Sequence, residues 1–97
     1  MKILAIIPAR AGSIGIPNKN IRIINGHPLI YYAINNALSS QYITDVIVST
    51  DSHDVKIVAN QMGVKVHWRD PQLCADDVTL DAVIYDAIPK DTNWDYI

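Results

Sequence analysis

The chain has 97 residues, of which 49% are hydrophobic, and this length and composition suit one small domain with a modest core. Its net charge of −2 argues against a nucleic-acid surface, and no apolar run approaches the ~18–20 residues of a membrane-spanning helix. A single cysteine, Cys74, excludes an internal disulfide, and the three histidines are too scattered for a zinc site. Because no signal-peptide core is present at the N-terminus, a cytoplasmic location is expected.

The first predicted element is a strand over the apolar run Ile3–Ile7. An apolar run without polar alternation is typical of a parallel strand covered on both faces, and Pro8 ends it because proline cannot donate to a sheet ladder. The loop that follows contains two glycines and carries only positive charges, at Arg10, Lys19 and Arg22. Glycines permit close backbone approach and free N–H groups can cradle an anion, so the sequence predicts a phosphate-binding loop.

The distribution of charge also favours an anion site in the first half of the chain. Residues 1–44 contain four basic residues and no acid, whereas all ten acidic residues, each an aspartate, lie in residues 45–97. The glycine spacing matches neither a P-loop nor the dinucleotide fingerprint, since only Gly12-x-x-Gly15 is present. From composition alone, a basic surface loop after a buried strand remains an alternative.

The rest of the chain alternates predicted helices and strands. The predicted elements are a short extended piece at Ile21–Ile24, a turn at Asn25-Gly26, a helix over Leu29–Ser40, a strand over Asp45–Thr50, a helix from an Asp51-Ser52 cap to Met62, a strand over Val64–Trp68, a helix capped by Asp76 or Asp77 and stopped by Pro89, and the approach to a strand at Trp94–Ile97. The predicted buried faces are residues 30, 33, 34, 37 and 38 in the first helix, 55, 58, 59 and 62 in the second, and 80, 83, 84, 87 and 88 in the third. This order predicts an α/β protein with a mostly parallel sheet and helices on both faces.

Three predicted strands end in polar or charged residues. These strand ends are Pro8-Ala9-Arg10, Ser49-Thr50-Asp51 and Trp68-Arg69. Because ligands of open α/β sheets bind beyond the carboxyl ends of the strands, we expect a site where these ends meet.

The string Ile7–Ile21, IPARAGSIGIPNKNI, resembles the N-terminal signature of the acylneuraminate cytidylyltransferases, the CMP-sialic acid synthetases, whose pattern is P-A-R-x-G-S-K-G-[ILV]-P-x-K-N. The resemblance implies a three-layer α/β/α, Rossmann-like (GT-A-like) nucleotidyltransferase fold. It also implies that residues 1–97 are the N-terminal part of a single domain that continues beyond Ile97. The sequence departs from the pattern at Ile14, where the family commonly has a lysine.

The same resemblance implies an activity, namely transfer of CMP from CTP to N-acetylneuraminate or a related nine-carbon α-keto acid such as legionaminate or pseudaminate, with release of pyrophosphate. It implies Mg²⁺ as cofactor, with its ligands beyond Ile97, and a homodimer in the full-length protein. One alternative is a 3-deoxy-manno-octulosonate cytidylyltransferase, although the ending Pro17-Asn-Lys-Asn20 favours the sialate type. Another is a non-catalytic nucleotide-binding domain. A dehydrogenase is disfavoured by the missing G-x-G-x-x-G.

The resemblance also assigns residues to roles. Lys19 and Arg10 are the predicted catalytic residues, since nucleotidyl transfer depends mainly on positioning and charge neutralisation. The predicted nucleotide-binding residues are Ala11, Gly12, Ser13, Asn20, Arg69, Asp76 and Thr79. Structural alternatives are a solvated loop lysine for Lys19, a turn residue for Ser13, an ion pair with Asp70 or another aspartate for Arg69, and a helix cap for Asp76. Asp51, in the V-S-T-D string common in the family, is interpreted first as a cap and second as a support of the site.

Overall fold

The computed structural model describes residues 1–11, 19–70, 72, 78–89 and 94–97. In chain order the elements are β1 (Leu4–Pro8), a 3₁₀ helix (Lys19–Ile21), β2 (Ile23–Ile24), β3 (His27–Pro28), α1 (Leu29–Ser39), β4 (Asp45–Thr50), α2 (His53–Gln61), β5 (Lys65–Trp68) and α3 (Leu80–Ala87). The predicted helices and strands are therefore confirmed in their order, with β3 as an additional short strand. Most boundaries shift by one or two residues, and α3 begins later than its predicted cap implies.

The main sheet is parallel and has β4 at its centre, in the order β1-β4-β5. Ile6 pairs with Ile47 on one side of β4, and Val48 pairs with Val66 on the other. A central parallel strand needs apolar side chains on both faces, and β4 is buried over its last five residues, 46–50. The parallel α/β architecture predicted from the apolar runs is confirmed.

The helices cover the sheet on both faces. Helices α1 and α2 contact each other and both contact β4, while α3 contacts β1 and β4. Val46 and Val48 belong to the cluster that includes Ile34 of α1 and Val55 of α2. Ile47, which points the other way because side chains alternate along a strand, is buried outside that cluster. The result is the three-layer α/β/α arrangement that the sequence predicted.

A tight hairpin joins β2 to β3. Asn25 and Gly26 both have positive φ, of 50° and 86°, as a two-residue turn between antiparallel strands requires, and Ile24 pairs with His27 across it. The Asn-Gly turn predicted from the sequence is confirmed. The extended piece predicted from Ile21 begins two residues later.

The predicted buried faces of the helices were partly wrong. Ala33 and Leu38 of α1 are exposed, and only Ile30 and Ile34 are fully buried there. Leu80 is 60% exposed, because α3 begins at that residue and its buried stripe runs through Val83 and Ala87. In α1 and α3 the predicted apolar stripe is therefore wider than the buried one, whereas the face predicted for α2, residues 55, 58, 59 and 62, is confirmed as buried or partly buried against the core.

The cap of α3 was also predicted wrongly. The N-cap is Thr79, whose hydroxyl accepts a hydrogen bond from the Ala82 amide, and not Asp76 or Asp77. A threonine hydroxyl satisfies a free amide of the first turn as a carboxylate would. Since Thr79 stands immediately before the apolar stripe, it takes that position.

The predicted approach to a further strand at Trp94–Ile97 is confirmed by a parallel bridge between Ile3 and Tyr96. The Leu4 amide donates to the Tyr96 carbonyl at 2.9 Å. Strand β1 therefore has a partner on each side. In the part of the chain that is described, no helix combines the length and the apolar character needed to cross a membrane.

Candidate functional site

The three strands of the main sheet end at one edge, which we call the carboxyl edge. Pro8 at the end of β1 is opposite Ser49, and Thr50 at the end of β4 is opposite Trp68 of β5. The ladder continues one step further, because the Ala9 amide donates to the Ser49 carbonyl at 2.9 Å. The predicted convergence of the three polar strand ends is confirmed.

Arg69 supplies a buried positive charge at this edge. It is 3% exposed, and within the described part of the chain its side-chain hydrogen bonds go to Ser49. Nε donates to the Ser49 hydroxyl at 3.2 Å and Nη2 to the Ser49 carbonyl at 3.0 Å. Both acceptors are neutral, so the charge of the guanidinium is solvated by dipoles and is not neutralised by them.

The backbone at the start of the glycine-containing loop is held from two directions. Asp51 accepts a hydrogen bond from the Ala11 amide at 2.7 Å. The Asn20 side chain, from the 3₁₀ helix at the other end of the loop, donates to the Arg10 carbonyl at 3.2 Å. The structure therefore brings Arg10, Ala11 and Asn20, three of the predicted site residues, together at the start of the loop.

Asp51 is not the cap of α2. Ser52 holds that position, and its hydroxyl accepts from the Val55 amide at 3.3 Å. The carboxylate of Asp51 is therefore used at the loop, and the prediction of a capping role for Asp51 was wrong while that for Ser52 is confirmed.

Thr50 is a further residue that joins the loop to the sheet. Its side chain is fully buried; the hydroxyl donates to the Ala9 carbonyl and accepts from the Ser52 amide at 3.0 Å. Sequence reasoning missed these contacts and those of Ser49. The sequence feature that could have indicated them is that Ser49 and Thr50 end an apolar strand. Buried polar side chains at such a position need hydrogen-bond partners.

The other predicted site residues are less closely defined. Gly12, Ser13 and Asp76 lie outside the described residues, as does Ile14, and for Lys19 only the backbone position in the 3₁₀ helix is described. Thr79 is exposed at the start of α3, where its hydroxyl is used as the cap. Their proposed contacts with a nucleotide remain predictions.

The described residues include no group of three or more histidine, cysteine or acidic side chains arranged to hold a metal ion. A hydrogen bond joins β5 to α3, where His67 Nε2 and Asp86 Oδ2 are 2.8 Å apart. About a third of each side chain is exposed, and a partly solvated pair of this kind contributes on the order of 1 kcal/mol or less to stability.

Comparison with known proteins gives the family of the chain. The family model described as cytidylyltransferase matches residues 4–96. The CMP-N,N'-diacetyllegionaminic acid synthase of Legionella pneumophila is 43% identical over 91 residues, which cover 93% of this chain and 39% of that protein. The pseudaminic acid cytidylyltransferase of Campylobacter jejuni is 45% identical over 89 residues, covering 91% of this chain and 38% of that protein.

A solved structure has the same fold. The CMP:2-keto-3-deoxy-manno-octonic acid synthetase in complex with CTP superposes with a TM-score of 0.63 at 33% identity, covering 69% of this chain and 28% of its own. The chain thus spans about two fifths of the length of the two curated relatives and less of the solved structure. With a family model matched over residues 4–96 and a shared nucleotidyltransferase fold, the chain belongs to the cytidylyltransferase family.

Proposed function

We propose that the complete protein transfers CMP from CTP to a nonulosonic acid, a nine-carbon α-keto acid sugar, and releases pyrophosphate. The observation that carries this proposal is the carboxyl edge. There a loop with the family signature begins at Arg10, and the Ala9 amide before it donates to the same Ser49 carbonyl as the buried guanidinium of Arg69. In this proposal, residues 1–97 form the N-terminal part of a single nucleotide-binding domain.

In the proposed reaction the anomeric hydroxyl of the sugar acid attacks the α-phosphorus of CTP. A bond forms between that oxygen and the α-phosphorus, the bond to the β-phosphate oxygen breaks, and the hydroxyl proton is released. Arg10 and Lys19 stabilise the charge on the transferring phosphoryl group, which is the main requirement of such a transfer. Of the three backbone amides predicted to bind the triphosphate, that of Ala11 is bonded to Asp51, and those of Gly12 and Ser13 are the proposed contacts. Arg69 holds the nucleotide.

Magnesium is the proposed cofactor, on the basis of the family resemblance. The described residues include no group of three histidine, cysteine or acidic side chains that could hold the ion. Chelation should abolish product formation by the complete protein, and added Mg²⁺ should restore it. A homodimer and a cytoplasmic location complete the proposal and rest on the resemblance and composition.

The proposed acceptor is N-acetylneuraminate, legionaminate or pseudaminate. Two relatives at 43% and 45% identity are named for the second and third of these sugars, and the Pro17-Asn-Lys-Asn20 ending resembles the sialate type. A second candidate is the eight-carbon 3-deoxy-manno-octulosonate, which the CTP-bound structural neighbour at 33% identity supports.

The test is a substrate panel. The complete protein is incubated with CTP, Mg²⁺ and one of the four sugar acids, and both pyrophosphate and the CMP-sugar are measured. We expect one of the nine-carbon acids to give the largest kcat/KM. Preference for the octulosonate would replace the proposed acceptor. Binding of CTP without product from any acid would instead indicate a non-catalytic nucleotide-binding domain.

A further inference from the structure

We propose that Asp51 is a positioning residue for nucleotidyl transfer, acting on Arg10 through the backbone of Ala11. This inference rests on the proposed function. It assigns to Asp51 a task that neither the family comparison nor the signature loop itself contains. The residue lies 40 positions from Ala11 in sequence and reaches it from the end of β4.

The peptide unit between Arg10 and Ala11 is held at both of its polar atoms. Its N–H donates to Asp51 at 2.7 Å, and its C=O accepts from the Asn20 side chain at 3.2 Å. Because a peptide unit is planar, two hydrogen bonds on its opposite sides fix the orientation of the whole plane. Asp51 and Asn20 therefore restrict rotation on the C-terminal side of the Arg10 Cα atom.

The preceding peptide unit is held as well. Its C=O, that of Ala9, accepts from the Thr50 hydroxyl, and the N–H of the unit before it, that of Ala9, donates to the Ser49 carbonyl at 2.9 Å. Both peptide planes that flank the Arg10 Cα atom are thus tied to the end of β4. Hydrogen bonds on both planes restrict the direction in which the Arg10 side chain leaves the backbone.

A carboxylate is a costly choice for this position unless it performs such a task. Asp51 is partly buried next to a loop that, by the proposed function, binds a triphosphate, and like charges disfavour that binding. A charged acceptor, however, makes a shorter and stronger hydrogen bond to an amide than a neutral one. We infer that the carboxylate is kept for the geometry it imposes on the Arg10–Ala11 peptide.

The experiment compares Asp51→Ala, Asp51→Asn and the control Asp54→Ala in the complete protein. Asparagine keeps a side-chain oxygen that can accept from Ala11, whereas alanine does not. Asp54 is an exposed carboxylate in the first turn of α2 and lies three residues away. Circular dichroism verifies that each variant is folded. The readouts are steady-state kinetics with CTP, CTP binding by calorimetry, and hydrogen exchange of the Ala11 amide by NMR.

Positioning predicts that Asp51→Ala lowers kcat/KM for CTP by about ten- to a hundredfold, the scale of a misplaced group. The same variant should lose protection of the Ala11 amide. Asp51→Asn should retain most of the turnover and protection, and Asp54→Ala should match the wild type. Two results would overturn the inference. One is an Asp51→Ala enzyme with kcat/KM close to that of the wild type. The other is an Asp51→Asn enzyme as impaired as Asp51→Ala although its Ala11 amide stays protected, because the loss would then come from the charge and not from the held peptide.

Failure of the proposed function can be distinguished from failure of the positioning role by the wild-type protein. If the wild-type protein forms no CMP-sugar from any acid, the proposed function is wrong, and positioning is then decided by CTP binding. Weaker binding by Asp51→Ala, with wild-type binding by Asp51→Asn and Asp54→Ala, supports the positioning role in a binding protein. Equal binding by all variants overturns it.

Discussion

Two arginines at the carboxyl edge are held in different ways. The guanidinium of Arg69 is buried and bonded to Ser49, so its charge is in place before any ligand arrives. For Arg10 the fixed part is the backbone, through the bonds to Asn20 and Asp51. Preorganised charge of this kind avoids reorganisation during a reaction and is a main source of electrostatic catalysis. Substitution of the residues that hold the two arginines should therefore have measurable effects, as substitution of the arginines themselves should.

Replacement of either predicted catalytic cation should impair the complete enzyme. Arg10→Ala and Lys19→Ala should each lower kcat/KM for CTP by about 10²-fold, the effect of losing one preorganised charge donor. Steady-state kinetics with CTP as the varied substrate measures this loss. Lys56→Ala, which removes an exposed cation of α2, is the matched control. If both loop variants remained within a few-fold of the wild type, the loop would not be the triphosphate site.

Ser49 should stabilise the fold because it solvates the Arg69 charge. Ser49→Ala removes a hydroxyl acceptor from a buried guanidinium and should lower the free energy of unfolding by about 1–3 kcal/mol. Ser39→Ala, at an exposed end of α1, should change it by less than about 0.5 kcal/mol. Urea denaturation of the three proteins measures both values. Equal stabilities would mean that water or another group replaces the hydroxyl without cost.

Secondary-structure elements that depend only on neighbouring residues were predicted correctly from the sequence. Apolar runs without alternation identified β1 and β4, and the Asn25-Gly26 pair identified the hairpin, because each depends on residues that are adjacent in the chain. The width of a buried helix face depends on the surface it meets. Leu38 is apolar and at helical spacing from Ile34, yet it is 49% exposed, since the stripe of α1 that meets the sheet is narrower than its apolar face.

In the candidate site, too, features set by local sequence were predictable and features set by tertiary contacts were not. That the strand ends converge was predictable, because parallel strands bring their carboxyl ends to one edge. The contact of Asp51 with Ala11 was not, since a local pattern gives an aspartate before a helix the role of a cap. Only the path of residues 9–11 along the end of β4 places the Ala11 amide within reach of that carboxylate. Contacts between residues about 40 positions apart require the tertiary structure.

The two faces of α1 should respond differently to truncation. Ile34 is fully buried, and Ile34→Ala should cost about 2–5 kcal/mol of stability through lost burial and the cavity it leaves. Leu38→Ala should cost much less, because half of that side chain already contacts solvent. Chemical denaturation followed by circular dichroism gives both values. A loss for Leu38→Ala as large as that for Ile34→Ala would show that the wider face predicted from the sequence is the buried one.

In the fold as a whole, the order of the strands favours the loop after β1 as the proposed ligand-binding site. The chain lays β4 and then β5 on one side of β1, and returns at Tyr96 to pair with Ile3 on the other side. Strand β1 therefore lies where the direction of strand addition reverses. In open α/β sheets, ligands bind at such a switch point, beyond the carboxyl ends of the strands. The signature loop leaves the sheet at this point.

The last prediction is that residues 1–97 alone do not catalyse CMP-sugar formation. The chain covers 39% and 38% of the length of two relatives, and its described residues include no group of three metal ligands. The purified 97-residue chain should therefore release no pyrophosphate above the blank from CTP, Mg²⁺ and any nine-carbon sugar acid. The complete protein, assayed at the same molar concentration, is the positive control, and a heat-denatured sample is the blank. Thermal melts with and without CTP would show whether the chain is folded and whether it binds the nucleotide. Turnover by the folded chain alone would place every group needed for transfer within these residues and would exclude an essential contribution from any other part of the protein.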